Sequence, residues 1–158
     1  MLKYLWLTAV IVALDLLSKA LVSEHFVLYE TLVIIPGWFN LTLLHNSGAA
    51  FSFLAEQSGW QRWFFAIIAL VISMVLLFWI KGLKAHERWM AVSLALVLGG
   101  ALGNLWDRLT LGYVVDFLDF YYKTHHWPAF NIADMAISIG AFMLIIDALL
   151  HKQESKSE

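Results

Sequence analysis

Gly99-Gly100-Ala101-Leu102-Gly103-Asn104-Leu105-Trp106-Asp107-Arg108, running on into Gly112-Tyr113-Val114-Val115-Asp116-Phe117-Leu118-Asp119, begins as apolar helix and ends among acids. A carboxylate at the edge of a hydrocarbon slab is expensive to ionise, so a cluster of them there points to function. One further acid answers it along the chain: Asp134, in Phe130-Asn131-Ile132-Ala133-Asp134 at the start of the next apolar run. The reading of the whole chain turns on whether Asp116 and Asp134 meet.

Around that stretch the composition is that of a membrane protein. The 158 residues are 61% hydrophobic and 14% charged, against about 25% charged in ordinary soluble domains. A net charge of -2 and the lack of any dense basic run argue against a nucleic-acid partner. The chain has no cysteine, which removes thiol catalysis, disulfides and zinc-thiolate sites together.

Four apolar runs, at about 4–22, 63–80, 89–106 and 131–150, each have the length a helix needs to cross roughly 30 Å of hydrocarbon. Lys3 and the apolar core behind it partly fit a secretory signal, yet Asp15 and Lys19 stand where a cleavage site would be, so the first run reads as a retained span. Asp15 and Lys19 are four residues apart and share a helix face. They read either as a snorkelling ion pair at the membrane edge or as part of a site.

The longer connections lie at about 23–62 and 107–130. Pro36-Gly37 before the partly alternating Trp38–His45 suggests a short strand or hairpin on the membrane surface. Asn46-Ser47-Gly48-Ala49-Ala50-Phe51-Ser52 reads as a small-residue turn, either a substrate-facing loop or an ordinary turn, with the 38–60 region expected to move more than the spans. Residues 107–127 look like a polar and aromatic connection at the interface, rich in Tyr, Phe and Trp. Lys81, Lys84 and Arg88 crowd the short loop between the second and third spans, on the side of Lys3 and Lys152, so both termini are expected in the cytoplasm and the acids at the outer face. The expected fold is a single all-α integral membrane domain over residues 1–158: four transmembrane helices with a small extracytoplasmic β-strand and loop subdomain.

Two carboxylates within hydrogen-bond distance cannot both ionise near neutral pH, so such a pair offers a base and an acid at once. The ionised member takes a proton from water while the protonated one polarises a carbonyl, which is peptide hydrolysis without metal or covalent intermediate. Asp134 is the stronger candidate, lying inside an apolar run where an unpaired carboxylate is costly. Asp116 edges out Asp119 as its partner because Val114, Val115 and Phe117 surround it. Asn104, Asp107 and Arg108 read as a scaffold closing a helix end, and Asn131 as a helix cap or a carboxylate holder. A purely structural polar network and a proton-coupled transporter, with the same acids as a relay, are the competing readings.

These segments together resemble the lipoprotein signal peptidase family, bacterial signal peptidase II. The resemblance rests on Asp15–Lys19, Asn46–Ser52, Gly99–Arg108, Val114–Phe117 and Phe130–Asp134, in that order on four spans. It implies an aspartyl endopeptidase of the bacterial inner membrane that cuts diacylglyceryl-modified prolipoproteins just before the lipidated cysteine. It also implies catalysis by Asp116 and Asp134, active-site support from Asn46, Gly48, Asn104, Asp107, Arg108 and Asn131, with Asp15 and Lys19 in a less defined role, and inhibition by globomycin. Lipidated prolipoproteins and the bilayer are the expected partners of a monomer using no metal and no other cofactor.

Overall fold

The computed structural model describes residues 1–48 and 59–154. A single 3-10 turn, Leu2–Tyr4, leads into α1, Leu5–His25. The hairpin β1, Thr31–Ile35, and β2, Phe39–Asn46, comes next. Then come α2, Trp60–Gly82, and α3, Arg88–Thr110. The chain closes with β3, Val114–Tyr122, the short β4, His125–His126, and α4, Ile132–Glu154. Among the described residues four helices are long and apolar enough to cross a membrane, matching the four expected spans.

α3 is the hub of the bundle: 61% of its most apolar stretch is buried, against 17–22% for the other three helices. In lipid no hydrophobic force separates a helix-facing leucine from a lipid-facing one, so helices associate through close backbone approach and internal hydrogen bonds. The glycines of α3 supply that approach. Gly100 lies on the Ala133 carbonyl of α4, and a Cβ on Gly103 would come within 2.5 Å of Asp15 Oδ2 on α1. Thr8 Oγ1 adds a buried bond, donating to the Ala95 carbonyl at 2.9 Å.

The sheet has the order β1-β2-β3-β4 and is antiparallel throughout. Its hairpin turns at Ile35-Pro36-Gly37-Trp38, with Gly37 at φ 84° in the position a type II turn reserves for positive φ. Val115 and Phe117 of β3 pack with Leu43 of β2 and Val22 of α1, seating the sheet on the end of the bundle.

Two expectations need correction. Residues 107–127 are not merely a polar and aromatic connection: α3 runs on to Thr110, taking in Asp107 and Arg108, and β3 occupies Val114–Tyr122. Val114, Val115, Asp116 and Phe117 are all buried, so the strand is covered on both faces and shows no polar alternation. Lys19 does not snorkel; it is 3% exposed and Asp15 is 0%. Asp107 pairs with Lys19 in the same buried group. The small-residue turn is described only through Gly48, and residues 49–58 of the segment expected to move lie outside the described residues.

Candidate active site

The site is assembled where β3 meets the start of α4. Phe130 bridges to Leu118, its carbonyl accepting from the Phe117 and Leu118 amides at 3.1 and 2.9 Å. The chain enters α4 two residues later, so the first turn of that helix is pinned beside Asp116. Asn131 then caps it in reciprocal fashion. Its Oδ1 accepts from the Asp134 amide at 2.9 Å, while Asp134 Oδ2 accepts from the Asn131 amide at 3.3 Å. This is a capping box in which the returning acid is Asp134 itself.

Asp116 and Asp134 line one cleft of about 1600 Å³, together with Asn46, Gly48, Asn104 and Arg108. Asn131 joins the two acids, for its Nδ2 donates to Asp116 Oδ1 at 2.7 Å. The other oxygen of Asp116 accepts from Asn46 Nδ2 at 2.9 Å, and Asp134 Oδ1 accepts from Asn104 Nδ2 at 2.8 Å. All four carboxylate oxygens are therefore met by donors.

Behind the acids lies a second, fully buried layer. Lys19 Nζ reaches Asp15 Oδ2 at 2.7 Å, Asp107 Oδ2 at 2.9 Å and Asn104 Oδ1 at 3.0 Å. Asp15 Oδ1 accepts from the Ala133 amide of α4 at 2.9 Å, and Asp107 Oδ2 from the Val115 amide of β3 at 3.1 Å. The layer thus ties α1, α3, β3 and α4 together at one level. Losing one member of such a buried group costs about 3–5 kcal/mol through the charge left behind. Arg108 lines the cleft with its guanidinium over the Phe65 ring, donating to the Asn104 carbonyl at 3.3 Å.

Burial, and then the charge of Asp134, push the Asp116 carboxyl up to about 7, against the opposing bonds from Asn46 and Asn131 and the charge of Lys19. Near neutral pH Asp116 therefore keeps a proton part of the time. Asp119, the close rival on sequence, falls on the opposite parity of β3. It is occupied by Asn40 Nδ2 at 2.8 Å and by His126 Nδ1, also at 2.8 Å.

All ten residues singled out from the sequence thus meet at this end of the bundle. A β-bulge was not among the expectations. Leu41 stands opposite Leu118 but Leu44 stands opposite Asp116, so one extra residue in β2 resets the register. Without it His45, not Asn46, would be the diagonal neighbour of Asp116 on their shared face. His45 instead stacks on Tyr113 with ring centroids 3.8 Å apart, and burial lowers its pKa. No local pattern in Asn40–Leu44 announces that bulge.

Four membrane-length helices, with acids clustered under a sheet at one end, define a multi-pass membrane enzyme. Two solved bacterial membrane enzymes, determined by the in meso method at 2.3 and 1.9 Å, share the fold with TM-scores of 0.86 and 0.82. They are 32% and 30% identical in sequence, covering 98% and 93% of this chain and 91% and 92% of theirs. The chain belongs to the signal peptidase II family, whose model, described as "Signal peptidase (SPase) II", matches residues 7–150. Relatives include the lipoprotein signal peptidase of Photorhabdus laumondii, 56% identical over 97% of this chain and 91% of that protein. The lipoprotein signal peptidase of Pseudomonas aeruginosa strain UCBPP-PA14 is 51% identical over 99% of this chain and 93% of its own length.

Proposed function

We propose that the protein is an aspartyl endopeptidase that removes signal peptides from diacylglyceryl-modified prolipoproteins, cutting just before the lipidated cysteine. A water between Asp116 and Asp134 gives a proton to the ionised carboxylate and attacks the scissile carbonyl, which the protonated partner polarises. The proton then passes to the leaving amine, and neither metal nor covalent intermediate takes part. What carries this reading is the pair itself: two acids from β3 and α4 on one cleft, every oxygen held by a donor, with the charge of one raising the proton affinity of the other.

The cleft suits a substrate that arrives through the lipid. Met135 and Ile139, exposed on α4 just beyond Asp134, line its side, so a signal-peptide helix has an apolar lateral route to the acids. We place the site at the extracytoplasmic face of the bacterial inner membrane with both termini cytoplasmic. The enzyme acts as a monomer and is open to globomycin-type cyclic peptides. A proton relay is the weaker reading, because family membership and the gathering of acids at one end of the bundle both favour hydrolysis.

Purified protein in detergent, given a diacylglyceryl precursor and excess EDTA, is expected to release a product whose new N-terminus is the lipidated cysteine. Cleavage abolished by the chelator and restored by a divalent cation, or a product beginning at another residue, overturns the reading. The rate should also fall with alkalinity. Asp116 loses its proton as pH rises through about 7, and activity should drop about tenfold for each further pH unit. A rate still climbing at pH 9 excludes Asp116 as the acid.

A further inference from the structure

We propose that Lys19 is a positioning residue that sets the amide orientation of Asn104, so that Asn104 presents a donor to Asp134. The proposal rests on Asp116 and Asp134 being the catalytic pair. A carboxamide is nearly symmetric in shape, so its neighbours decide which end carries the oxygen. At Asn104 the neighbours leave no choice.

An ammonium has three protons and no lone pair. At Lys19 two of them are taken by Asp15 and Asp107, at 2.7 and 2.9 Å, and the third meets Asn104 at 3.0 Å. Only oxygen satisfies it there. Asn131 Nδ2, a second donor, approaches the same oxygen at 3.3 Å. The nitrogen of Asn104 is thereby turned outward onto Asp134 Oδ1 at 2.8 Å. With Lys19 removed, only the longer bond from Asn131 Nδ2 holds that oxygen, and the amide can turn to set it against a carboxylate oxygen. Asp134 then answers by taking the shared proton, and the pair enters the cycle with its base already occupied.

The other two asparagines that meet Asp116 or Asp134 obey the same rule through backbone donors. Asn46 Oδ1 is claimed by the Gly48 amide at 3.1 Å and Asn131 Oδ1 by the Asp134 amide at 2.9 Å, so both turn nitrogen toward Asp116. Asn104 alone relies on a side chain for its orientation. The charged groups around the relay are Asp15 of α1 and Asp107 of α3 about Lys19, with Arg108 of α3 and Asp116 of β3 beside Asp134.

The test is a double-mutant cycle on the full-length enzyme with a diacylglyceryl precursor. Lys19→Met combined with Asp15→Asn removes the ammonium at constant net charge, leaving an oxygen at position 15 for the Ala133 amide. This variant and Asn104→Ala should each lower kcat about 100-fold with KM within about twofold. Combining them should cost no more than either alone, because both act through one amide. Multiplying losses, or a wild-type kcat without Lys19, overturn the proposal. Should the Lys19 variant fail to fold, Asn104→Asp serves in its place, keeping an oxygen for Lys19 but placing another on Asp134. It should lose kcat as Asn104→Ala does, and wild-type turnover by it also overturns the proposal. Asp116→Asn separates the two levels: if it cleaves normally the catalytic pair is wrong, whereas if it is inactive while the Lys19 variant turns over normally, only the relay falls.

Discussion

Asp116→Asn and Asp134→Asn should each leave a folded, membrane-inserted protein that cleaves a diacylglyceryl precursor about 1,000-fold or more slower than the parent. An amide at 116 has no acidic proton to lend the carbonyl, and an amide at 134 cannot accept one from water. Folding should survive because the strand at position 116 and the helix at position 134 each tolerate an isostere. The Asn131 backbone amide still finds a side-chain oxygen at position 134, and either Asn131 or Asn46 still finds one at position 116. The measurement is the mobility shift of the precursor on a gel, with detergent-solubilised melting curves run beside it. Normal cleavage by either variant rules out the pair, and the aspartyl mechanism with it.

Gly100→Ala should be the most damaging single-methyl change outside the acids. Its Cβ would be driven into the Ala133 carbonyl and the Ile137 side chain, and a helix backbone has nowhere to go except outward. Overpacking of this kind costs about 1–3 kcal/mol, which for a chain of this size lowers the melting temperature by about 2–4 °C per kcal/mol. The larger loss is in rate. Ala133 precedes Asp134, so separating α3 from α4 shifts the proposed base relative to Asp116, and a displacement of about 1 Å costs about 100-fold. Gly82→Ala is the control, since a Cβ there meets nothing within 4 Å and should change neither property. If Gly100→Ala melts and cleaves like the parent, tight contact between α3 and α4 is not what positions the acid.

The local features of the fold were legible because local forces make them. An uninterrupted apolar run must close its own hydrogen bonds in lipid, so the four spans follow from composition and length. Pro36-Gly37 carries its turn type in its own dihedral preferences. Asn131 was readable as a cap or a carboxylate holder, and it does both.

What stayed hidden depends on partners far away in the chain. β3 pairs with β2 across the whole of α2 and α3, and because both its faces are covered it shows no polar alternation to betray a strand. Asp116 and Asp119 differ little in local surroundings, yet strand parity gives one to Asn46 and Asn131 and hands the other to Asn40 and His126. The Asp15 and Lys19 spacing allowed an exposed ion pair as readily as a buried one, and only the acid at Asp107 and the amide at Asn104 decided for burial.

By itself, then, the sequence determined the number of membrane helices, the hairpin turn and the set of polar residues that gather at one end of the bundle. These follow from hydrocarbon's intolerance of unpaired backbone and from short-range dihedral preferences. Tertiary structure decided which acids meet, which face of β2 carries Asn46, and which end of each asparagine amide faces a carboxylate. Those outcomes depend on register and on donors supplied by other elements, and neither is written in the residues flanking them.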